Sequence, residues 1–319
     1  MAQKKSNQAK SNPSRNSQKG KNSNTRPGSR PNSRGRQGWT PPPKSKAPLF
    51  GGIAGGIVVV VIVVVLIVIN LTSGSTPNKV DQPASAQLVS AVTSVPVGIY
   101  NAIGTGSGNV SGPPTKISGA PLTLNTKPEI LYIGAEWCPY CGAERWALVT
   151  SLSRFGTFTG LETGFSSSTD SYPSTPTFGF QSITYTSSYL SFVAVETQDV
   201  NHNSLMSLSS QESDLFKKYD SQGSIPFIDI GNKWFSAANY NPQVLQGLTH
   251  DDIAGTLSLP TNQTAESILG SANYLSATFC NIDGDRPASV CNSSGVQAAA
   301  KTLGTAKSTS NNKNTSKLK

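Results

Sequence analysis

Apolar positions along the chain form one long run and several short ones. Leu49-Phe-Gly-Gly-Ile-Ala-Gly-Gly-Ile-Val-Val-Val-Val-Ile-Val-Val-Val-Leu-Ile-Val-Ile69 is 21 residues without a polar side chain. A bilayer core takes about 20 apolar residues of helix, and a strand this long and uniformly apolar is unusual. The run predicts a transmembrane helix over 49–70, followed by a polar stalk over 71–85. The pattern then becomes that of a folded domain. Glu129-Ile-Leu-Tyr-Ile-Gly134 and Leu190-Ser-Phe-Val-Ala-Val195 predict buried strands. Trp146, Leu148, Val149 and Leu152 predict one face of a helix that starts after Pro139. Ser209 to Tyr219, with early acids and late lysines, predicts another. Ile225 to Phe235 reads as two strands around Gly231-Asn232. A helix capped by Thr249 runs to about 257, and a last one runs from about 264 to 279 with Ile268, Leu269, Ala272 and Leu275 on one face. Gly-, Ser- and Pro-rich stretches at 109–119 and 166–176 predict loops. Strand, helix, strand, then a hairpin and more helix argues an α/β domain over 86–298, a mixed sheet with flanking helices.

Charge places this domain relative to the membrane. The net +9 comes from the ends of the chain. Residues 1–48 hold twelve Lys or Arg and no acid among Asn, Ser, Gln, Pro and Gly, a composition too polar to fold. Residues 299–319 form a second basic, Ser/Thr/Asn-rich tail with the same expectation. Between 85 and 300, eight Lys or Arg face sixteen Asp or Glu, so the domain itself is acidic and no nucleic-acid partner is expected for it. Twelve positive charges before the apolar run, and only Lys79 soon after it, predict a cytoplasmic N-terminus and an extracytoplasmic domain. A cleaved signal peptide has a shorter apolar region, and Ala84-Ser85-Ala86 lies far beyond this one, so an uncleaved anchor in the cell membrane is expected. Gly51, Gly52, Gly55 and Gly56 have the small-xxx-small spacing through which two such helices could pair as a homodimer.

The chemistry concentrates in Gly134-Ala-Glu-Trp-Cys-Pro-Tyr-Cys-Gly142. A thiolate is the nucleophile of disulfide exchange, and a free cysteine supplies little of it at neutral pH. A cysteine at a helix N-terminus gains from the dipole and from unpaired backbone N–H groups. Cys138 ends the strand-to-helix turn, Pro139 fits the first helical turn and Cys141 lies one turn in. That order predicts Cys138 as the exposed attacking thiol and Cys141 as the buried resolving one. No Lys or Arg lies close before Cys138, so the helix terminus is expected to supply most of the activation. Zinc would need two further ligands at tight spacing, and Cys280, Cys291, His202 and His250 form no second close pair, so no metal is expected. The two histidines are expected on polar surfaces. Outside the membrane all four cysteines meet oxidising conditions, and the expected pairings are 138–141 and 280–291. The second bond reads as a structural staple, with a redox relay as the sharper alternative.

Ile130-Leu-Tyr-Ile-Gly-Ala-Glu-Trp-Cys-Pro-Tyr-Cys141 resembles the active-site segment of the thioredoxin superfamily, and Gly223-Ser-Ile-Pro-Phe-Ile-Asp-Ile230 resembles its second signature. Residues 85–295 as a whole look like a family of membrane-anchored thioredoxin-like proteins from archaea and some actinobacteria. The resemblance implies a thioredoxin-like fold and a thiol–disulfide oxidoreductase with Cys138 and Cys141 catalytic. It implies Pro226 in cis beside Cys138, and a binding edge made with Trp137, Pro139, Tyr140 and Ile225. It implies no cofactor, and as partners protein thiols or disulfides and a membrane redox partner alongside the lipid bilayer. Two departures stand out. Tyr132 occupies the place of the superfamily's buried acid, which keeps a non-catalytic tethered binding module open as the alternative. The 84 residues between Cys141 and Pro226 predict an insertion, about 160–190, acting as a lid or substrate-facing loop.

Overall fold

The computed structural model describes residues 82–306; the expected span at 49–70, its glycines, the basic tail and most of the stalk lie outside them. The described chain opens with β1 (Gln82–Pro83), α1 (Ala86–Thr93) and α2 (Val97–Ile103), then β2 (Thr115–Lys116), β3 (Thr123–Leu124) and β4 (Lys127–Gly134). Helix α3 (Pro139–Leu152) leads into β5 (Gly156–Thr159), β6 (Glu162–Phe165), β7 (Pro176–Gly179), β8 (Thr184–Ser187) and β9 (Ser191–Glu196). After α4 (Ser210–Tyr219) come β10 (Phe227–Ile230), β11 (Trp234–Ser236) and a single 3-10 turn (Pro242–Leu245). The chain closes with α5 (His250–Thr256), α6 (Gln263–Asp283), α7 (Ala288–Cys291) and α8 (Ser294–Thr302).

The main sheet has six strands of mixed direction. At its centre β4 pairs in parallel with β9, from Glu129 opposite Ser191 to Gly134 opposite Glu196. On its other edge β4 pairs antiparallel with β10, and β11 and β2 follow outward. Strand side chains alternate between faces, and here both faces are covered. Ile130 and Tyr132 enter the larger core with α3 and α6, while Leu131, Ile133 and Phe227 enter a smaller one with Leu215 of α4. The fold is therefore mixed α/β with helices on both sides of the sheet.

Helix ends follow local chemistry. Ser209 with Glu212 and Thr249 with Asp252 form capping boxes, and Asn262 caps α6 by accepting from Thr264 and Ala265. Gly284 ends α6 in the left-handed conformation. Helix α3 departs from the one-faced pattern expected of it: every residue but Tyr140 is buried, because α3 lies between the sheet, α6 and β7. A helix buried all round must pair its polar side chains internally, which decides the site described below.

Several segments differ from expectation. The stretch at 160–190 is not all loop: β6 pairs with β1 and β7, and β8 with β5, while the loop expected at 166–176 lies between β6 and β7. Four-residue strands rich in Thr and Ser carry too little apolar periodicity to announce themselves. The end of the stalk is tied down by β1, and α8 runs four residues into the expected C-terminal tail, burying Ala299 and Ala300. Helix α6 exceeds its expected range at both ends. Among the described residues no single helix is long and apolar enough to cross a membrane; α1 and α2 are apolar together, but meet at a 55° bend and bury Leu88, Val92, Tyr100 and Ile103 in the core.

Cys280 and Cys291 are bonded across a sequence separation of 11, joining the last turns of α6 to α7. Closing a loop of that size restricts the unfolded chain. The Cys280→Ser/Cys291→Ser variant should be less stable by about 2–3 kcal/mol in denaturant unfolding.

Candidate functional site

The end of β4 sets the geometry. Phe227 pairs with Ile133, so Ile225-Pro226 continues past the end of β4 and meets the loop that follows Gly134. The Ile225–Pro226 peptide is cis. Cys138 is the N-cap of α3, in extended conformation, and its Sγ accepts from the Cys141 backbone N–H at 3.2 Å. The same sulfur lies 3.8 Å from the Ile225 carbonyl oxygen, to which its S–H donates. Two sequence-distant segments thus bracket one thiol. Cys138, Cys141, Trp137, Pro139, Tyr140, Ile225 and Pro226 come together here, whereas the Cys280–Cys291 bond lies at the α6–α7 junction. Cys138 and Cys141 are both thiols in this structure, hydrogen-bonded to each other.

Beneath the pair lies a buried polar floor. Arg145 is fully buried and bidentate to Glu196, its Nε 2.8 Å and its Nη2 2.7 Å from the two carboxylate oxygens. Its Nη1 donates to Thr177 Oγ1, and Nη2 also donates to the Ala135 carbonyl oxygen. The guanidinium lies over the rings of Tyr132 and Phe180, about 6 Å from each centroid. Tyr132 is fully buried, and its hydroxyl has no hydrogen-bond partner. That hydroxyl reaches over Gly134, where a Cβ would collide with it, so the last position of β4 favours glycine. Neither Arg145 nor Glu196 was singled out from sequence. Their signals are position: Arg145 follows Cys141 by one helical turn, and Glu196 ends the strand parallel to β4.

Cys138 is less accessible than its place in the motif predicts, only 4% exposed against 0% for Cys141. The segment between β6 and β7 packs against the neighbours of Cys138 in the motif. Ser167 N–H donates to the Trp137 carbonyl, Tyr172 meets Tyr140 edge to face, and Thr175 and Thr177 pack against Gly142. This loop runs along the first turn of α3. Trp137 is held by a hydrogen bond from its Nε1 to Gln198 and by the His202 ring at 4.7 Å. Tyr140 stays 37% exposed and is the open edge of the cluster. His250 does not face solvent alone as expected: its Nε2 lies between the Gly164 and Thr177 carbonyls, and its ring meets Trp146 and Phe165.

Electrostatics separates the two thiols. Cys138 is lowered from the ordinary cysteine value, first by the hydrogen bond from the Cys141 side chain; burial opposes this, and the Cys141 N–H and the Arg145 charge add to it. Cys141 is pushed well above that value by burial, then by its bond to Cys138 and the charge there. Burial also holds the Tyr132 phenol well above its usual range. A lowered thiol beside a raised one can attack as thiolate and be released by its neighbour. Among the described residues no group of three or more His, Cys, Asp or Glu could hold a metal ion.

Glu144, the chain neighbour of Arg145 in α3, bonds elsewhere, accepting from Asn239 N–H and Nδ2. Burial raises it to about 8, against weaker opposition from those bonds. An acid whose folded pKa is raised stabilises fully below its unfolded pKa and loses that contribution as pH rises through the folded one. Wild-type stability should therefore fall between about pH 4.5 and pH 8 relative to Glu144→Gln, by on the order of a few kcal/mol. Urea midpoints measured for both proteins across that range would run parallel if Glu144 titrates normally.

The family described as a domain of unknown function (DUF929) matches residues 113–281, just over half of the 319-residue chain. The match takes in Cys138, Cys141, Arg145, Glu196 and Pro226 and stops before Cys291. No curated protein and no solved structure matches the chain.

Proposed function

The chain belongs to the DUF929 family, and we propose that it is a membrane-anchored, extracytoplasmic thiol–disulfide oxidoreductase of thioredoxin-like fold, acting on protein substrates. The observation that carries the reading is the Cys138 sulfur between the Cys141 N–H and the Ile225 carbonyl. A helix N-terminus on one side stabilises a thiolate. The cis Ile225–Pro226 peptide on the other, just ahead of β10, places backbone beside the sulfur for a substrate segment to meet. The apolar run at 49–69 and the charge asymmetry around it support the anchor and its orientation. Trp137, Pro139 and Tyr140 complete the binding edge, and Cys280–Cys291 acts as a staple, since both its residues are buried.

In the reducing direction the Cys138 thiolate attacks one sulfur of a substrate disulfide. The Cys138–substrate S–S bond forms as the substrate S–S bond breaks, and the first substrate thiolate leaves and takes up a proton. Cys141, having lost its proton, then attacks Cys138 Sγ. The Cys138–Cys141 bond forms, the second substrate thiolate departs, and two electrons have passed to the substrate. The oxidising direction is the same sequence reversed.

Burial of Cys138 and the phenol at 132 favour a second reading, a tethered binding module without turnover. Trapping separates the two. Cys141→Ala should accumulate mixed disulfides with proteins outside the membrane, and Cys138→Ser should trap none and exchange disulfides only at the background rate of the reagents. Exchange retained by Cys138→Ser, or an absence of adducts in Cys141→Ala, would favour the binding module.

A further inference from the structure

Every charged or titratable group around the thiols can be assigned a place. Tyr132 comes from β4, Glu196 from β9, and Tyr140 and Arg145 from α3. Glu136 lies in the preceding loop, Asp170 and Tyr172 lie in the segment along the first turn of α3, and His202 stacks on Trp137. Of these, Arg145 is the cation buried with the pair. It follows Cys138 by seven residues and Cys141 by four, so all three lie on one face of α3. The Ala135 carbonyl links it to the nucleophile directly: that oxygen accepts from Arg145 Nη2 at 2.9 Å and from the Cys138 backbone N–H at 3.3 Å. Glu196 fixes the guanidinium in two-point contact and is thereby committed to it.

We infer that Arg145 is a positioning residue for the redox pair, the buried cation that stabilises the Cys138 thiolate and holds the loop that presents it, with Glu196 as its clamp. This rests on the proposed oxidoreductase reading and adds a fixed charge to the hydrogen bonds that Cys141 supplies. Its logic differs from that of a buried acid. A carboxylate at 132 would take the resolving thiol's proton; the phenol there is held neutral by burial and leaves stabilisation of the anion to a permanent charge. In a dry site that charge is little screened. Glu196 shares Nη2 with the Ala135 carbonyl and opposes the cation at Cys141, where the Arg145 charge acts more strongly.

The test is the pH profile of alkylation at Cys138 in the full-length protein, read site by site by mass spectrometry. Wild type should titrate below the free-cysteine value of about 8.5. Arg145→Met/Glu196→Met removes both charges together, which avoids an unpaired buried ion. Its Cys138 should titrate about one unit higher, a tenfold loss of thiolate at neutral pH. Glu196→Gln leaves the cation unopposed and should move the profile the other way. Arg145→Lys, keeping the charge, should stay close to wild type. A merely structural role would leave all profiles superimposed. Superposition of the double variant on wild type, with native circular dichroism, overturns the inference; so does an unchanged or raised value in Glu196→Gln. Should the double variant not fold, Glu196→Gln decides alone, and a wild-type value at or above that of free cysteine overturns the inference without any variant. Shifts as stated in a protein that exchanges no disulfide would sink the proposed function and leave this inference standing.

Discussion

The two-point contact between Arg145 and Glu196 ties together the elements that form the site. Arg145 projects from α3, Glu196 ends β9, and the same guanidinium reaches the Ala135 carbonyl in the loop after β4 and Thr177 in β7. One buried side chain thereby connects the helix carrying the cysteines to two strands and to the turn that presents Cys138. Burying either member alone is costly, since breaking such a pair costs about 3–5 kcal/mol. The pair follows from the burial of α3 on every side. A helix covered by sheet, helix and β7 leaves its polar residues no water, so Arg145 finds Glu196 and Glu144 finds Asn239.

The central strand and its two flanks were legible in the chain because their signals are local. Ile130 to Ile133 is an unbroken apolar run, Ser209 and Thr249 are followed at the right distance by acids, and Gly231-Asn232 marks a turn between two short apolar stretches. The Cys138–Cys141 spacing with Pro139 announced a helix start for the same reason. What escaped depends on partners far along the chain. Arg145 and Glu196 are 51 positions apart, and nothing in either neighbourhood names the other. The strands between 156 and 187 are short and rich in Thr, and they become strands only through each other. The contacts on Trp137 and Tyr140 come from Ser167 and Tyr172, on a later segment that folds back along the start of α3.

Electrostatically the site divides labour between three groups. The helix start gives Cys138 a backbone donor, Cys141 gives it a thiol donor, and Arg145 gives it a fixed charge. Tyr132 contributes bulk and a ring face beneath the guanidinium. On the reading we propose, the loop along the first turn of α3 restricts access to a sulfur that must meet a substrate disulfide, and exposed Tyr140 marks the side from which it is approached.

The central claim is that Cys138 and Cys141 are a reversible redox pair. Its most direct test is to expose the reduced protein to oxidised glutathione, quench with acid, and map both cysteines by mass spectrometry over time. A transient glutathione adduct should form on Cys138, followed by loss of two hydrogens with an internal Cys138–Cys141 bond that dithiothreitol restores to thiols. A lasting adduct on Cys138 without closure, or a pair that never reacts while the protein stays folded, would contradict it.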